Sequence, residues 1–263
     1  MTRLHPTTYD AEVVQVGGYG IRLRIADAGV VGGGGVPLLL LNGLTRPLES
    51  WGPFEEALAR RTLVSLDAPG VGKSRTPLLP LSIAMLARLA ASVLDHAGFE
   101  RADVLGFSHG GAVAQQLAFQ SPERVRALVL AATSCGVGAT PGSQDALATE
   151  SGLPDDAPHP IPRLDPVGTL WQYLAISTWS SIPFLGAIRT PTLVVCGEDD
   201  QIAPPANSAL LARRIPGAQL VMLRAGHDLQ RPGPAEGLAR AVDRFLAEKP
   251  SPGEPEIKAS SGC

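Results

Sequence analysis

The chain has 263 residues, 44% of them apolar and 18% charged, with a formal net charge of −3 at pH 7. That length supports one domain with a sizeable core, and the composition is ordinary for a soluble globular protein. Acidic and basic residues are interspersed, which leaves no basic face for nucleic acid and no polybasic anchor. Met1–Asp10 lacks the apolar stretch of a secretory signal, and no segment approaches the roughly 18 consecutive apolar residues expected of a membrane span. Cys135, Cys196 and Cys263 are odd in number and widely spaced, which fits neither a metal pattern nor a disulfide framework. A reducing cytoplasm is the simplest location for such a chain.

Two β-patterned runs, Glu12–Val16 and Ile21–Ala26, flank Gly17-Gly18-Tyr19-Gly20 and predict a hairpin. The apolar run Leu38–Leu41, closed by Asn42-Gly43, suits a strand buried on both faces of a mostly parallel sheet. Leu48–Arg60 reads as a helix, Leu63–Asp67 as a strand, and Ser82–Gly98 as a helix with Gly98 as its C-cap. The rhythm continues through the strand Asp103–Phe107, the helix Gly110–Ser121 and the strand Val125–Ala131. Beyond the middle of the chain come the strand Thr192–Cys196, the helix Ser208–Ile215, the strand Gln219–Leu223 and the closing helix Ala235–Glu248. Strands alternating with helices imply parallel crossovers, hence an α/β class with a doubly wound sheet.

The stretch 135–186 breaks that rhythm. It is rich in Gly, Pro, Ser and Asp at first, then carries Trp171, Tyr173, Trp179 and Phe184. An interruption this long in a compact domain is expected to form a lid or to hold structure of its own. One domain is therefore expected over 1–249, with its core at about 12–134 and 187–248 and a lid at about 135–186. The Pro-, Ser- and Gly-rich tail, 250–263, predicts disorder.

The strongest local signal is Gly106-Phe107-Ser108-His109-Gly110-Gly111, a G-x-S-x-G motif with a predicted strand before it and a predicted helix after it. Such a turn crowds the positions two residues either side of the serine and lifts its hydroxyl above the sheet. A serine hydroxyl is a weak nucleophile and needs an adjacent base, itself oriented by an acid. The chain order Ser, acid, His is met by Ser108, Asp200 and His227, the last two lying just past predicted strands. Of the other histidines, His5 is near the N-terminus, His96 lies on a helix, His159 sits in a Pro-rich loop and His109 adjoins the nucleophile. Acyl transfer also needs donors aimed at the developing oxyanion. The main-chain N–H groups of His109 and of Leu44, in the loop after Leu38–Leu41, are the candidates. Trp171, Trp179 and Phe184 are candidates to line an apolar acyl pocket, or else they staple the lid to the core.

Two other features read as structural. Gly70-Val71-Gly72-Lys73-Ser74 resembles a phosphate-binding loop, but Asp67 stands where that pattern needs glycine and Arg75 where a dinucleotide fingerprint needs a small residue. Cys196 ends an apolar run and reads as a core filler.

With these residues in place, the chain from about 12 to 248 resembles the α/β-hydrolase superfamily. Within it, Leu41-Asn42-Gly43-Leu44, Asp67-Ala68-Pro69-Gly70-Val71-Gly72, Leu130-Ala131-Ala132-Thr133, Trp171-Gln172-Tyr173 and Trp179-Ser180-Ser181-Ile182 look like the intracellular medium-chain-length poly(3-hydroxyalkanoate) depolymerases. The resemblance implies an α/β-hydrolase fold and a serine hydrolase that cleaves polyester ester bonds with no cofactor and no metal. It also implies Asp200, rather than Asp199, as the acid. Two departures are His109, where that family carries Trp, and a shorter segment between Thr133 and Trp171. The resulting expectation is an ester hydrolase acting on small-molecule or polymeric esters. The alternatives are the same triad acting on a lactone, thioester or peptide, or a non-catalytic binding protein on this scaffold.

Overall fold

The structure is a computed structural model that describes residues 7–8, 11–27, 35–58, 61–143, 145–146 and 165–248. The predicted tail, 250–263, and most of the Gly- and Pro-rich first half of the predicted lid lie outside the described residues.

Nine strands form one sheet among the described residues: β1 (Thr7–Thr8), β2 (Glu12–Val16), β3 (Tyr19–Asp27), β4 (Leu38–Leu41), β5 (Leu63–Leu66), β6 (Ala102–Phe107), β7 (Val125–Ala131), β8 (Thr192–Gly197) and β9 (Gln219–Leu223). The order is β1-β3-β5-β4-β6-β7-β8-β9, with β2 also paired to β3. Pairings involving β3 are antiparallel, and every pairing from β5–β4 to β8–β9 is parallel.

Helices cover both faces, which is why the central strands carry no polar alternation. In β4, Leu39 and Leu41 pack with α2 (Ile83–His96) and α3 (His109–Gln120), while Leu38 and Leu40 face Trp51, Phe54, Leu238 and Val242. Those last four belong to the region of α1 (Gly52–Ala57) and to the closing helix Pro234–Ala247. Two apolar layers thus clamp the sheet and fix β6, the strand that leads into Ser108, between β4 and β7. No helix among the described residues is long and apolar enough to cross a membrane.

Several elements differ from the sequence reading. The helix predicted over Leu48–Arg60 is a 3₁₀ turn, Leu48–Trp51, followed by the short α1. Pro53 explains this: its ring is tolerated in a first helical turn but clashes with the carbonyl four residues earlier in a helix interior. The predicted hairpin strand Ile21–Ala26 is longer, running Tyr19–Asp27.

The stretch 135–186 holds a helix that the sequence reading did not specify, α4 (Pro166–Ser177). Asp165 caps it, its Oδ1 accepting from the N–H groups of Val167 at 2.9 Å and Gly168 at 3.1 Å, and Pro166 occupies the first helical position. The two ends of this stretch meet: Val137 N–H donates to the Trp179 carbonyl at 2.8 Å and Ser181 N–H to the Cys135 carbonyl at 3.0 Å. Several contacts fasten helix α4 to the core. Gly70 and Gly168 approach so closely that a Cβ on Gly70 would stand 2.5 Å from the Gly168 Cα. Trp171 Nε1 donates to the Pro77 carbonyl at 3.1 Å, and Thr76 hydrogen-bonds Asp165.

Candidate active site

Ser108 occupies the turn between β6 and α3 with φ 50° and ψ −117°, a strained conformation for a residue with a side chain. The surroundings over-determine it. Ser108 N–H donates to the Ala131 carbonyl at 2.9 Å, and its carbonyl accepts from Thr133 Oγ1 at 2.7 Å and Gly111 N–H at 2.9 Å. The glycine spacing has a steric origin. A Cβ on Gly106 would stand 2.5 Å from the Gly110 carbonyl, and one on Gly110 would run into the Leu41 and Asn42 carbonyls.

His227, in the loop after β9, brings Nε2 to 3.1 Å from Ser108 Oγ. Its Nδ1 lies 2.9 and 3.0 Å from the two carboxylate oxygens of Asp200, in the loop after β8. A carboxylate accepts only, so Nδ1 carries the proton and Nε2 presents its lone pair to the serine hydroxyl. Asp200 is buried and its Oδ1 also accepts from Ile202 N–H at 2.9 Å and Ala203 N–H at 2.8 Å. The neighbouring Asp199 is exposed. Phe107 supports the imidazole from one side, with ring centroids 5.3 Å apart.

Among the described residues, neither the Leu44 N–H nor the His109 N–H meets a protein acceptor, as expected of His109 at a helix start. The loop holding Leu44 is shaped by Asn42, whose Oδ1 accepts from Gly43 N–H at 2.9 Å and whose Nδ2 donates to the Pro47 carbonyl at 2.8 Å. Thr45, with φ 60°, donates its N–H to Gln172 Oε1 of α4 at 2.9 Å. Arg46 Nη1 pairs with Asp228 Oδ1 at 3.0 Å, next to His227, and its guanidinium lies 5.4 Å from the Phe107 ring centroid. Sequence assigns no role to Gln172, Arg46, Asp228 or Gln230; Gln172 enters there only within the Trp171-Gln172-Tyr173 segment, and the others only by lying near Leu44 or His227.

His109 is buried, and burial pushes its imidazole down to about 4, against a smaller opposing effect from the Gln172 main chain. Burial also raises the Cys135 and Cys196 thiols, so both are protonated core residues. The other described histidine, His96, is exposed at the end of α2. His5 and His159 lie outside the described residues.

The three aromatics divide. Trp179 Nε1 donates to Gln116 Oε1 at 2.8 Å, and Phe184 stacks on Phe119 with centroids 4.3 Å apart. Gln116 and Phe119 lie roughly 12 and 16 Å along α3 from Ser108 at 1.5 Å per residue. Those contacts account for Trp179 and Phe184 as packing that fixes the insertion onto the core, and lend no support to a place beside the scissile bond. Trp171 stands on α4 beside Gln172.

The glycine-rich turn 70–74 is wrapped around a carboxylate. Lys73 N–H donates to Asp67 Oδ2 at 2.9 Å, Leu48 N–H to Asp67 Oδ1 at 2.7 Å, and a Cβ on Gly72 would collide with that carboxylate. The Lys73 amide that a phosphate would need is already engaged.

A sequence profile described as the alpha/beta hydrolase fold matches residues 36–166 and 162–234. The chain belongs to the alpha/beta hydrolase family. This alpha/beta hydrolase is 37% identical over 241 residues to a poly(3-hydroxyalkanoate) depolymerase of Ectopseudomonas oleovorans, covering 81% of the chain and 85% of that protein. Among solved structures, it is similar to a hydrolase from Pseudomonas aeruginosa PA01, with TM-score 0.77, 27% identity, and 90% and 98% of the two chains covered. It is also similar to the enol-lactonase from Burkholderia xenovorans LB400, with TM-score 0.78, 25% identity, and 89% and 99% covered.

Proposed function

We propose that this alpha/beta hydrolase cleaves carboxylic esters through an acyl-enzyme on Ser108. The observation that carries the reading is the continuous hydrogen-bonded line from Ser108 Oγ through His227 to Asp200. Ser108 Oγ attacks the carbonyl carbon while its proton passes to His227 Nε2. Asp200 keeps the imidazole in the receptive tautomer and stabilises the imidazolium. The tetrahedral oxyanion accepts from the unpaired N–H groups of Leu44 and His109. Collapse breaks the bond to the alcohol oxygen, which leaves with the proton from His227. Water then repeats the sequence on the acyl-serine and releases the acid.

Similarity to a poly(3-hydroxyalkanoate) depolymerase supports esters of 3-hydroxy acids as the substrate class, soluble or polymeric. Trp171 is kept as a candidate acyl contact only as a residue of α4, whose Gln172 reaches the loop after β4, while its own indole N–H is held by the Pro77 carbonyl. The enol-lactonase likeness keeps a cyclic ester within reach of the same steps.

Hydrolysis of an ester panel, followed in the pre-steady state, tests the reading. A burst of alcohol matching the enzyme concentration, with medium-chain acyl esters ahead of acetate, is expected. Each buried methylene adds about 0.8 kcal/mol to that preference. Absence of turnover on every ester and lactone would overturn it.

A further inference from the structure

The insertion after β7 touches the loop that carries Asp200 as well as the loop after β4. Its first arm, residues 140–143, packs on residues 200–203, between β8 and α5 (Pro205–Arg214). Asn207, in the first turn of α5 and 2% exposed, directs both ends of its amide at one residue of that arm. Its Oδ1 accepts from Thr140 N–H at 2.8 Å, and its Nδ2 donates to the Thr140 carbonyl at 2.9 Å. Both partners are main-chain groups, so the side chain in this clamp is that of Asn207.

Further along the arm, Ser143 N–H donates to the Gln201 carbonyl at 2.7 Å. Gly142 lies so close to the next carbonyl that a Cβ there would stand 2.0 Å from the Ile202 oxygen. The peptide unit bearing the Gln201 carbonyl also bears Ile202 N–H, and the unit bearing the Ile202 carbonyl also bears Ala203 N–H. Those two N–H groups hold Asp200 Oδ1, at 2.9 and 2.8 Å. Two planar units thus have one edge on the arm and the opposite edge on the carboxylate. A displacement of the arm reaches Asp200 without passing through a flexible side chain.

A group that must keep an imidazole aligned tolerates little movement, and a misplacement of about 1 Å can cost on the order of 10² in rate. We propose that Asn207 is a positioning residue for the acid, holding residues 140–143 against the loop that aims Asp200. The insertion then serves the reaction at both ends, through Asn207 at the acid and through Gln172 at the loop after β4. The proposal rests on the reading of Asp200 as the acid of an ester hydrolase.

The test is a double-variant cycle on the full chain, read as kcat and KM on an ester that the wild type turns over. Asn207→Ala should lower kcat by about tenfold to a hundredfold, with KM within about threefold of wild type. In an Asp200→Asn background the same substitution should change kcat by less than about twofold, because no carboxylate is left to aim. A clamp that merely stabilises the fold would change kcat by the same factor in both backgrounds, and that result overturns the proposal. Gly142→Ala pushes on the Ile202 carbonyl from the other side and should repeat both results. Asn207→Asp keeps the acceptor for Thr140 N–H but loses the donor, and should fall between wild type and Asn207→Ala. It carries the cycle if Asn207→Ala does not accumulate as folded protein. Wild-type kcat in folded Asn207→Ala overturns the proposal alone. Wild-type kcat in Asp200→Asn, or no turnover of any ester by the wild type, overturns the underlying reading and the proposal with it.

Discussion

Gln230 Nε2 donates to Asn42 Oδ1 at 2.9 Å, joining the loop after β9 to the loop after β4 across 188 residues of sequence. The first loop carries His227 and the second carries Leu44, so this contact and the Arg46–Asp228 pair tie the proposed base to the proposed oxyanion donor. Asn42 Oδ1 accepts twice, and its NH₂ donates to the Pro47 carbonyl.

Asn42→Ala should therefore act on both stability and turnover. It strands the buried Gln230 amide and the Pro47 carbonyl, at a cost of about 1–3 kcal/mol each if water cannot replace the partner. It also releases the loop that aims Leu44, so kcat should fall on the order of tenfold to a hundredfold while KM changes less. Urea melts and steady-state kinetics on one preparation check both, and a variant with unchanged kcat would detach this network from the chemistry.

The two adjacent aspartates give a sharper contrast. Asp200 is buried against His227, whereas Asp199 is exposed. Asp200→Asn should lower kcat by roughly 10⁴, because the amide holds the imidazole in the wrong tautomer. Asp199→Asn should leave kcat within a small factor of wild type. The reverse ranking would move the acid to Asp199.

The strand and helix order was legible because its signals are local. An all-leucine β4, a Ser82 cap on α2 and a glycine-flanked serine each state their environment within a few residues. The line from Ser108 to Asp200 was legible for a different reason: each member sits just past a strand of a parallel sheet, and strand ends converge on one crevice. What stayed hidden depends on contacts between distant segments. Gln172 stands in sequence between two residues of an aromatic cluster with no role assigned, and only the docking of α4 on Gly70 brings it to Thr45. Helix α4 itself had a legible start in Asp165-Pro166, obscured by the Gly- and Pro-rich residues before it. For Trp179 and Phe184, aromatic character could not distinguish a pocket wall from a staple, and their contacts with Gln116 and Phe119 favour the staple.

His109 should leave a mark on stability against pH. Its folded value, about 4, lies below the ordinary 6.5, so the unfolded chain binds a proton here between those limits that the folded chain refuses. Stability is thus unaffected above pH 6.5 and declines as pH falls towards 4, by on the order of 3 kcal/mol at the lower end. The difference between wild type and His109→Phe in urea midpoint, followed from pH 7 to 4, should narrow or reverse in favour of the variant. A pH-independent difference would mean that His109 takes up its proton alike in the folded and unfolded chain, against the burial that lowers it.

Gly110→Ala tests the steric reason for the motif. The added Cβ meets main-chain carbonyls of Leu41 and Asn42, which cannot rotate away as a side chain could. A loss of about 3 kcal/mol or more, or failure to accumulate folded protein, is expected. A variant with wild-type stability would show that α3 and β4 have slack that the contact distances deny.

The central claim is that Ser108 forms the covalent intermediate. Brief exposure of the protein to a fluorophosphonate, followed by digestion and mass analysis, tests it most directly. The expected result is a single adduct on the peptide containing Ser108, absent in Ser108→Ala, with ester turnover by that folded variant lowered on the order of 10⁶-fold. An adduct on another residue, or near-wild-type turnover by Ser108→Ala, would contradict it.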